Sequence, residues 1–334
     1  MRGYPAVPDT AGDRCRCSGG RQKESEGPLA AEFDELSADN RFGQPSWEAA
    51  EKYLQLRAAR LCLQKAALPQ EKVQLALAGD LQAQCTASSY AMRELGVPFA
   101  GLFGACSTMA EGLALGAALC EGGAARNLLA MASSHFCAAE RQFRTPLSYG
   151  AVRTPTAQWT ATAAGCCLLQ PQGEGVGIAA ATFGRVQDYQ VKDINNMGAA
   201  MAPAAASTLL HYFKDTGTEP QEFDCIYTGD LGQVGSQLLR ELLAAEGLLI
   251  KNHVDCGCIL FDANEQSVKS GGSGPGCCAA VLCGHILPRL RRGSQKRVLF
   301  TATGALMSQT TFLQKETIPA VAHLVELRAP EKEK

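Results

Sequence analysis

The chain of 334 residues lacks a strong charge of either sign and lacks any long apolar run. A formal net charge of −2 at pH 7 gives no reason to expect a nucleic-acid-binding protein, because such proteins neutralise phosphates with clustered Lys and Arg. No run approaches the ~20 apolar residues that span a bilayer, and the polar N-terminus lacks the apolar segment of a signal peptide. We therefore expect a soluble, cytosolic protein with no transmembrane segment and no nucleic-acid partner.

Metal-binding motifs are also missing from the sequence. The 15 cysteines include no Cys-x-x-Cys pair, and no paired histidine motif completes a tetrahedral zinc site. Most of them lie inside apolar runs of a long chain, which is typical of reduced core thiols rather than of a disulfide scaffold. The sequence thus predicts free buried thiols, no metal and no cofactor.

What the chain does contain is a large apolar fraction and an internal repeat. With 46% hydrophobic residues it can bury a substantial core. The order helix, strand, Gly-Asp-Leu occurs twice, ending at Gly79-Asp80-Leu81 and at Gly229-Asp230-Leu231, and turns of small residues follow at 101–108 and 271–278. This repeat predicts two equivalent α/β halves, 28–170 and 171–328, after an irregular or disordered N-terminus over 1–27 and before a charged tail over 329–334.

A helix start is visible in the first half. Ser46 precedes Trp47 and Glu48, a pattern in which Ser is the N-cap and an acidic residue lies in the first turn. Helical periodicity continues to about Ala67, and Pro69 ends it. Residues 73–78 then read as a strand.

Cys106 is the most informative single residue. It lies in a stretch of small residues, 101–112, where an apolar run gives way to an alanine-rich helical pattern. Unpaired N–H groups and the positive end of the helix dipole stabilise a thiolate or a bound carboxylate at such a junction. Cys106 therefore indicates either a nucleophile or an anion-binding pocket, and the alternative is a buried cysteine that packs as a small apolar residue.

A dense polar cluster follows the predicted buried strand 128–132. It contains His135, Arg141, Arg144 and the block 155–162. Ligands of open α/β sheets bind beyond the carboxyl ends of the strands, and Arg suits carboxylates. Taken singly, each residue fits an exposed helix face or a loop, but their density favours a carboxylate site.

Several of these segments resemble one family. They are the stretches 104–108, 133–135, 139–144, 149–150, 156–160, 228–232 and 302–307. Together they resemble the stage V sporulation protein AD family, within the wider thiolase-like superfamily, over roughly residues 27–327. The resemblance implies a thiolase-like fold of two βαβαβαββ halves in an αβαβα layered architecture.

The same resemblance implies a function without catalysis. The expected role is the binding of dipicolinic acid (pyridine-2,6-dicarboxylate), with calcium, during its uptake into the developing endospore. Expected partners are the ligand or its calcium chelate, other stage V sporulation membrane proteins and a second copy of the chain in a homodimer. The expected location is the cytoplasm or forespore, peripherally at the spore inner membrane. The expected ligand-binding residues are Cys106, Ser107, His135, Phe136, Arg144, Trp159 and Asp230.

Two other functions stay open at this point. The superfamily resemblance matches Cys106 to the acyl-accepting cysteine of condensing enzymes and thiolases. Such enzymes need His and Asn, or two His, beside the thiolate, and the turns at Gly229 and Gly271 offer neither. The second alternative is a structural subunit of a spore membrane complex with a vestigial pocket. The Gly- and Arg-rich segment 10–21 further predicts that the first half lacks one strand.

Overall fold

The computed structural model describes residues 6–7, 16–18, 23–37, 39–143 and 153–331. The strands are β1 Ala6–Val7, β2 Arg16–Ser18, β3 Leu36–Ser37, β4 Leu75–Gly79, β5 Phe99–Gly101, β6 Leu128–Ser134, β7 Trp159–Thr160, β8 Ala163–Leu169, β9 Val176–Thr182, β10 Cys225–Thr228, β11 His253–Asp255, β12 Gly272–Ser273, β13 Arg297–Ala305 and β14 Ala320–Arg328. The α-helices are α1 Lys23–Glu26, α2 Trp47–Lys65, α3 Thr86–Leu95, α4 Thr108–Glu121, α5 Phe136–Phe143, α6 Met197–Thr216, α7 Gly232–Ala245, α8 Cys256–Leu260, α9 Pro275–Val281, α10 Leu287–Arg291 and α11 Gln309–Leu313.

Two six-stranded sheets carry the fold, and their strand orders correspond. The first sheet runs β3-β2-β8-β6-β4-β5 and the second runs β1-β9-β14-β13-β10-β11. In each sheet a parallel pair (β4 and β5, or β10 and β11) lies beside a long strand (β6 or β13) that pairs antiparallel with the next (β8 or β14). The predicted pair of equivalent α/β halves is therefore confirmed.

Helices separate and cover the two sheets. Helices α4 and α9 lie centrally, because α4 contacts strands of both sheets and α9 packs on β6 and β8. Helices α2 and α3 cover the outer face of the first sheet, and α6 and α7 cover that of the second. The result is the layered αβαβα architecture that the resemblance implied.

The repeated Gly-Asp-Leu turns occupy matching positions. Gly79 ends β4 and Asp80 follows it, while Asp230 follows β10 after Gly229. Both strands are the second from the same edge of their sheets. The two aspartates have different neighbours, since Asp230 accepts a hydrogen bond from Gly274 N at the start of the central helix α9, whereas Asp80 accepts from Ser88 of the outer helix α3.

Helix α2 forms where the sequence predicts it. The Ser46 side chain accepts a hydrogen bond from Ala49 N at 3.2 Å, which satisfies one of the unpaired N–H groups of the first turn. The helix ends at Lys65, two residues short of the predicted end. Leu54 and Leu56 are almost fully buried in the core of the first half.

The N-terminal region contains strands that the sequence analysis did not predict. Ala6–Val7 pairs antiparallel with β9 of the second sheet, and Arg16–Ser18 pairs antiparallel with β8 of the first sheet. The expectation of a missing strand in the first half, and of no strand within residues 1–27, is wrong for these segments. Backbone pairing with a neighbouring strand stabilises them despite their Gly- and Arg-rich sequence, which carries no apolar alternation. The domain boundaries themselves stay predictions.

The cysteines behave as the sequence indicated. Thirteen of them lie in the described residues outside any disulfide bond, and of these Cys137 and Cys258 are partly exposed while the others are buried. Within the described ranges, no group of three or more His, Cys, Asp or Glu side chains is placed to hold a metal ion. The same ranges contain no helix with the length and apolar character needed to cross a bilayer.

Candidate functional site

Cys106 lies in a tight turn between β5 and the central helix α4. Residues Ala105–Ser107 form one 3-10 turn, and Ala105 has a left-handed φ of 50°, a conformation that costs energy for any residue with a Cβ. Gly304 of β13 packs directly on this turn, since a Cβ at Gly304 would lie 2.0 Å from Gly104 O. The second half thus holds the cysteine turn of the first half in place.

The thiol of Cys106 faces a hydroxyl and a carboxyl group from the second half. Its Sγ is 4.0 Å from Ser273 Oγ, and that hydroxyl donates to Asp230 Oδ2 at 3.1 Å. Asp230 also accepts hydrogen bonds from Gly274 N at 2.9 Å and from Thr303 Oγ1 at 3.3 Å. Cys106, Ser273 and Asp230 form one connected group at the junction of the halves.

Burial controls the protonation of this group. Burial, and then the negative charge of Asp230, raise the pKa of the Cys106 thiol well above its ordinary value. Burial raises the pKa of Asp230 to about 7, although hydrogen bonds from Cys106, Gly274 and Ser273 oppose that shift. The thiol is therefore neutral at physiological pH, and the thiolate that a helix start favours does not form here.

A cavity of about 540 Å³ opens above the Cys106 turn. Its described walls include six carboxamides, two carboxyl groups and several hydroxyls, and they contain no Lys, Arg or His. The volume lies within the range of small-molecule sites. The carboxamides are Gln82, Gln84, Gln142, Gln158, Asn195 and Gln309, and the carboxyl groups are Asp80 and Glu140.

Gln158 connects this cavity to the Asp230 turn. Its side-chain amide donates to Asp230 O at 2.6 Å and to Gly272 O at 2.9 Å. Arg153 supports the same segment by donating to Gln158 O at 2.6 Å and to the carboxylate of Glu140 at 2.9 Å. These contacts fix residues 153–160 against the floor of the cavity.

A buried carboxyl pair lies behind the opposite wall. Asp80 accepts hydrogen bonds from Gln82 N and from both Ser88 N and Ser88 Oγ. Glu51 accepts from the Gln82 amide at 2.7 Å and from Ser133 Oγ at 3.1 Å. Burial, aided by the charge of Asp80, raises the pKa of Glu51 to about 8, so Glu51 is largely protonated at neutral pH. One net negative charge at this wall is thus the favoured state.

The structure brings together only part of the residue set that the sequence proposed. Cys106 lines the cavity floor, and the fully buried Asp230 lies beneath that floor, connected to the thiol through Ser273. Ser107 is adjacent, but it is fully buried and its hydroxyl donates to Gly104 O at 2.7 Å. Arg144 lies outside the described residues.

The three remaining predicted residues do not line the cavity. His135 is fully buried, and its Nε2 donates to Asn40 O at 2.8 Å. Phe136 and Trp159 stack on each other with ring centroids 4.0 Å apart, and the Arg153 guanidinium lies 4.8 Å from the Trp159 ring. This stack supports the 153–160 segment from outside the cavity.

Sequence reasoning missed Gln158, Ser273 and Gln142 as site residues. Gln158 belongs to the polar block 155–162, and Ser273 belongs to the repeated small-residue turn, so both lay within segments already noted. Gln142 had no individual signal. Its side chain accepts from Ala83 N and donates to Leu81 O, which joins α5 to the Asp80 turn.

Two corresponding α/β halves with a cysteine at the start of a buried central helix define the class of thiolase-like folds. Solved structures agree. The 3-oxoacyl-[acyl-carrier-protein] synthase III of Aquifex aeolicus superposes with a TM-score of 0.54 at 14% identity over 83% of this chain and 84% of that one. Xanthomonas campestris OleA gives a TM-score of 0.57 at 12% identity over 98% and 97% of the two chains. At these identities the likeness is one of fold alone.

Sequence comparison identifies the branch of this class. The family model of stage V sporulation protein AD matches residues 14–328. A relative, the stage V sporulation protein AD of Bacillus subtilis, is 43% identical over 302 residues, which is 90% of this chain and 89% of the relative. The chain belongs to the stage V sporulation protein AD family.

Proposed function

We propose that the protein binds dipicolinic acid as its calcium chelate in the cavity above Cys106 and thereby supports its uptake into the developing endospore. The observation that carries the proposal is the composition of the cavity, whose described walls combine carboxamides with Asp80 and Glu140 and include no cationic side chain. A free dianion would meet the negative charge of Asp80 at these walls, whereas Arg153 already balances the charge of Glu140. The chelate, in which calcium balances both carboxylates, would not.

The chelate also leaves coordination sites for oxygen atoms. Calcium takes six to eight ligands, and dipicolinate supplies three, so water or protein oxygens fill the others. Amide and carboxylate oxygens are the appropriate type. We place the calcium side of the ligand toward Asp80 and Glu140, and a ligand carboxylate toward the start of α4, where the helix dipole favours negative charge.

Calorimetric titration tests the proposal directly. We expect saturable binding of calcium dipicolinate to the purified protein, and weaker binding of dipicolinate in calcium-free buffer. Ala139→Leu should weaken binding at least about tenfold, because Ala139 lines the cavity and a larger side chain occupies ligand space. Ala138→Leu is the matched control, since Ala138 is equally buried, at 3%, on the same helix but does not line the cavity.

Two results would count against this function. Absence of saturable binding of either form by the folded protein would exclude it. The better account would then be a structural subunit with a vestigial pocket, acting with other stage V sporulation membrane proteins, peripherally at the spore inner membrane or as a homodimer. Equal loss of affinity in Ala139→Leu and Ala138→Leu would instead show that the cavity is not the binding site.

A condensing enzyme or thiolase is the second candidate, and the strained Ala105-Cys106 turn favours it. Its support is weaker because the Cys106 thiol hydrogen-bonds with Ser273 and Asp230, and the negative charge of Asp230 raises the pKa of the thiol. A positioned acid–base partner typically contributes ~10²–10⁴-fold to the rate. Release of CoA from acetyl-CoA or acetoacetyl-CoA that disappears in Cys106→Ala would establish this function instead.

A further inference from the structure

Two pairs of buried thiols flank β8. Cys62 of α2 and Cys166 lie on its outer side, and Cys167 and Cys283 lie where the two halves of the molecule meet. Consecutive residues of a strand point to opposite faces, so Cys166 faces Cys62 on one side of β8 while Cys167 faces Cys283 on the other. Cys167 and Cys283 belong to different halves. Their Sγ atoms are 3.8 Å apart.

The position of Cys283 is set by local backbone geometry. It lies in a π-helical segment, Leu282–Ile286, between α9 and α10. Such segments widen a helix by one residue and shift the side chains that follow. Gly284 within it packs closely, since a Cβ there would lie 2.9 Å from Phe33 Cδ1. The close packing fixes the segment against residues 32–33, and Cys283 itself contacts Cys167 and the Cys166 carbonyl of β8.

We propose that Cys167 and Cys283 form an intramolecular disulfide when the folded protein meets hydrogen peroxide, and that this bond fixes the central helix of the second half to the sheet of the first half. A disulfide has an S–S length of about 2.05 Å, so the two sulfur atoms approach by less than about 2 Å, which small side-chain rotations supply. The inference is independent of the ligand-binding proposal. It assigns a modification site to a pair of residues outside the cavity.

The chemistry needs one equivalent of peroxide. One thiolate attacks the O–O bond, forming a sulfenic acid and releasing hydroxide, which takes up the proton that the thiol lost. The second thiolate attacks the sulfenic sulfur, the S–S bond forms, and a second hydroxide leaves and is protonated. The balance is two thiols and one H₂O₂ to one disulfide and two H₂O. Peroxide is close to water in size and reaches the buried pair during local opening of the native state.

Peptide mapping of the oxidised folded protein tests the proposal. The wild type is treated with peroxide, remaining thiols are alkylated, and the non-reduced digest is analysed by fragmentation mass spectrometry. We expect a cross-link between Cys167 and Cys283 and a higher melting temperature that dithiothreitol reverses. The cross-link should persist in Cys166→Ser, the adjacent control on the opposite face, and disappear in Cys167→Ser and Cys283→Ser.

The wild-type map decides the question even if a variant fails to fold, because fragmentation assigns the two bonded sulfurs. A disulfide that joins Cys283 to a cysteine other than Cys167 in the folded, peroxide-treated wild type would overturn the proposal. So would sulfinic acids on both residues without a cross-link, or a cross-link that forms only after the protein is unfolded in urea.

Discussion

Replacing Asp230 with Asn should make Cys106 more reactive, and the effect should depend on pH. The contacts through Ser273 place Asp230 Oδ2 no farther than about 7 Å from the Cys106 Sγ. At an effective dielectric constant of about 20, a unit charge at that distance disfavours the thiolate by about 2 kcal/mol. We therefore expect the Asp230→Asn variant to be alkylated at Cys106 roughly 30-fold faster than the wild type, since each 1.36 kcal/mol of thiolate stabilisation is about a factor of ten in thiolate population.

The pH dependence follows from the pKa of Asp230, which burial raises to about 7. Above pH 7 the wild-type carboxylate is charged and suppresses the thiolate, so the two proteins should differ most near pH 8.5. Well below pH 7 the wild-type carboxyl group is neutral, as asparagine is, and their rates should converge. The asparagine side chain of the Asp230→Asn variant would also keep an oxygen that accepts from Ser273 and Gly274.

The assay is the rate of iodoacetamide labelling at Cys106, quantified by peptide mass spectrometry between pH 5.5 and 9. Ser273→Ala serves as the control, because it removes the bridging hydroxyl but keeps the charge, and it should not accelerate labelling. Equal rates for the wild type and Asp230→Asn at pH 8.5, with both proteins folded, would refute the electrostatic coupling.

Three further predictions concern stability. Burial raises the pKa of Glu24 to about 7 and that of Asp255 to about 6, so the folded state binds more protons than the unfolded state from about pH 4 upward. The contribution of these groups to stability is complete below the unfolded pKa values and is lost as pH rises through 6–7. The free energy of unfolding from urea titrations should fall from pH 6 to pH 8, by about 1.4 kcal/mol from Glu24 alone, and Glu24→Gln should flatten that slope; a slope unchanged in Glu24→Gln contradicts the assignment. Gly304→Ala should cost at least about 2 kcal/mol in urea unfolding, because its Cβ would lie 2.0 Å from Gly104 O, whereas Gly177→Ala, with nothing within 4 Å, should stay within about 0.5 kcal/mol. Ser46→Ala should cost about 1 kcal/mol through loss of the α2 cap, and Ser46→Thr should retain most of it; equal unfolding midpoints for Ser46→Ala and the wild type would show that the cap contributes nothing.

The internal repeat made the fold predictable, because two copies of helix, strand and Gly-Asp-Leu indicate two equivalent halves from the sequence alone. The Ser46 cap and the strand predicted at 128–132, which extends to Ser134 in the structure, were similarly readable from local chemistry. The strands at Ala6–Val7 and Arg16–Ser18 were not. Pairing with β9 and β8, which are distant in sequence, stabilises them. No local alternation of apolar residues in these segments predicts that pairing.

The site was predictable only where a residue's position follows from a turn. Cys106 and Asp230 each follow a strand end, and the correspondence of the halves brings those ends together. His135 also follows a strand, but its ring lies toward Asn40 and Trp47, away from the cavity. Clustering along the sequence does not specify which face of a helix or strand a side chain occupies. Fewer of the polar residues at 133–162 therefore line the cavity than their density in the sequence predicted.

The balance of electrostatic effects at Cys106 bears on which function the fold performs in this chain. A helix N-terminus stabilises a negative charge by about 0.3–1 kcal/mol when exposed and by up to ~2 kcal/mol when partly buried. Burial and the adjacent Asp230 act in the opposite direction, and the thiol pKa rises. The positive end of α4 is therefore not used by a thiolate of the protein. The first turn of α4 also contains the partly buried Glu111 carboxyl group, so the proposed ligand carboxylate would share this helix start with Glu111, while the neutral thiol adds no repulsion. The arrangement that disables the nucleophile is thus compatible with the proposed binding of a carboxylate at this turn, provided that the ligand brings a cation to face Asp80 and Glu140.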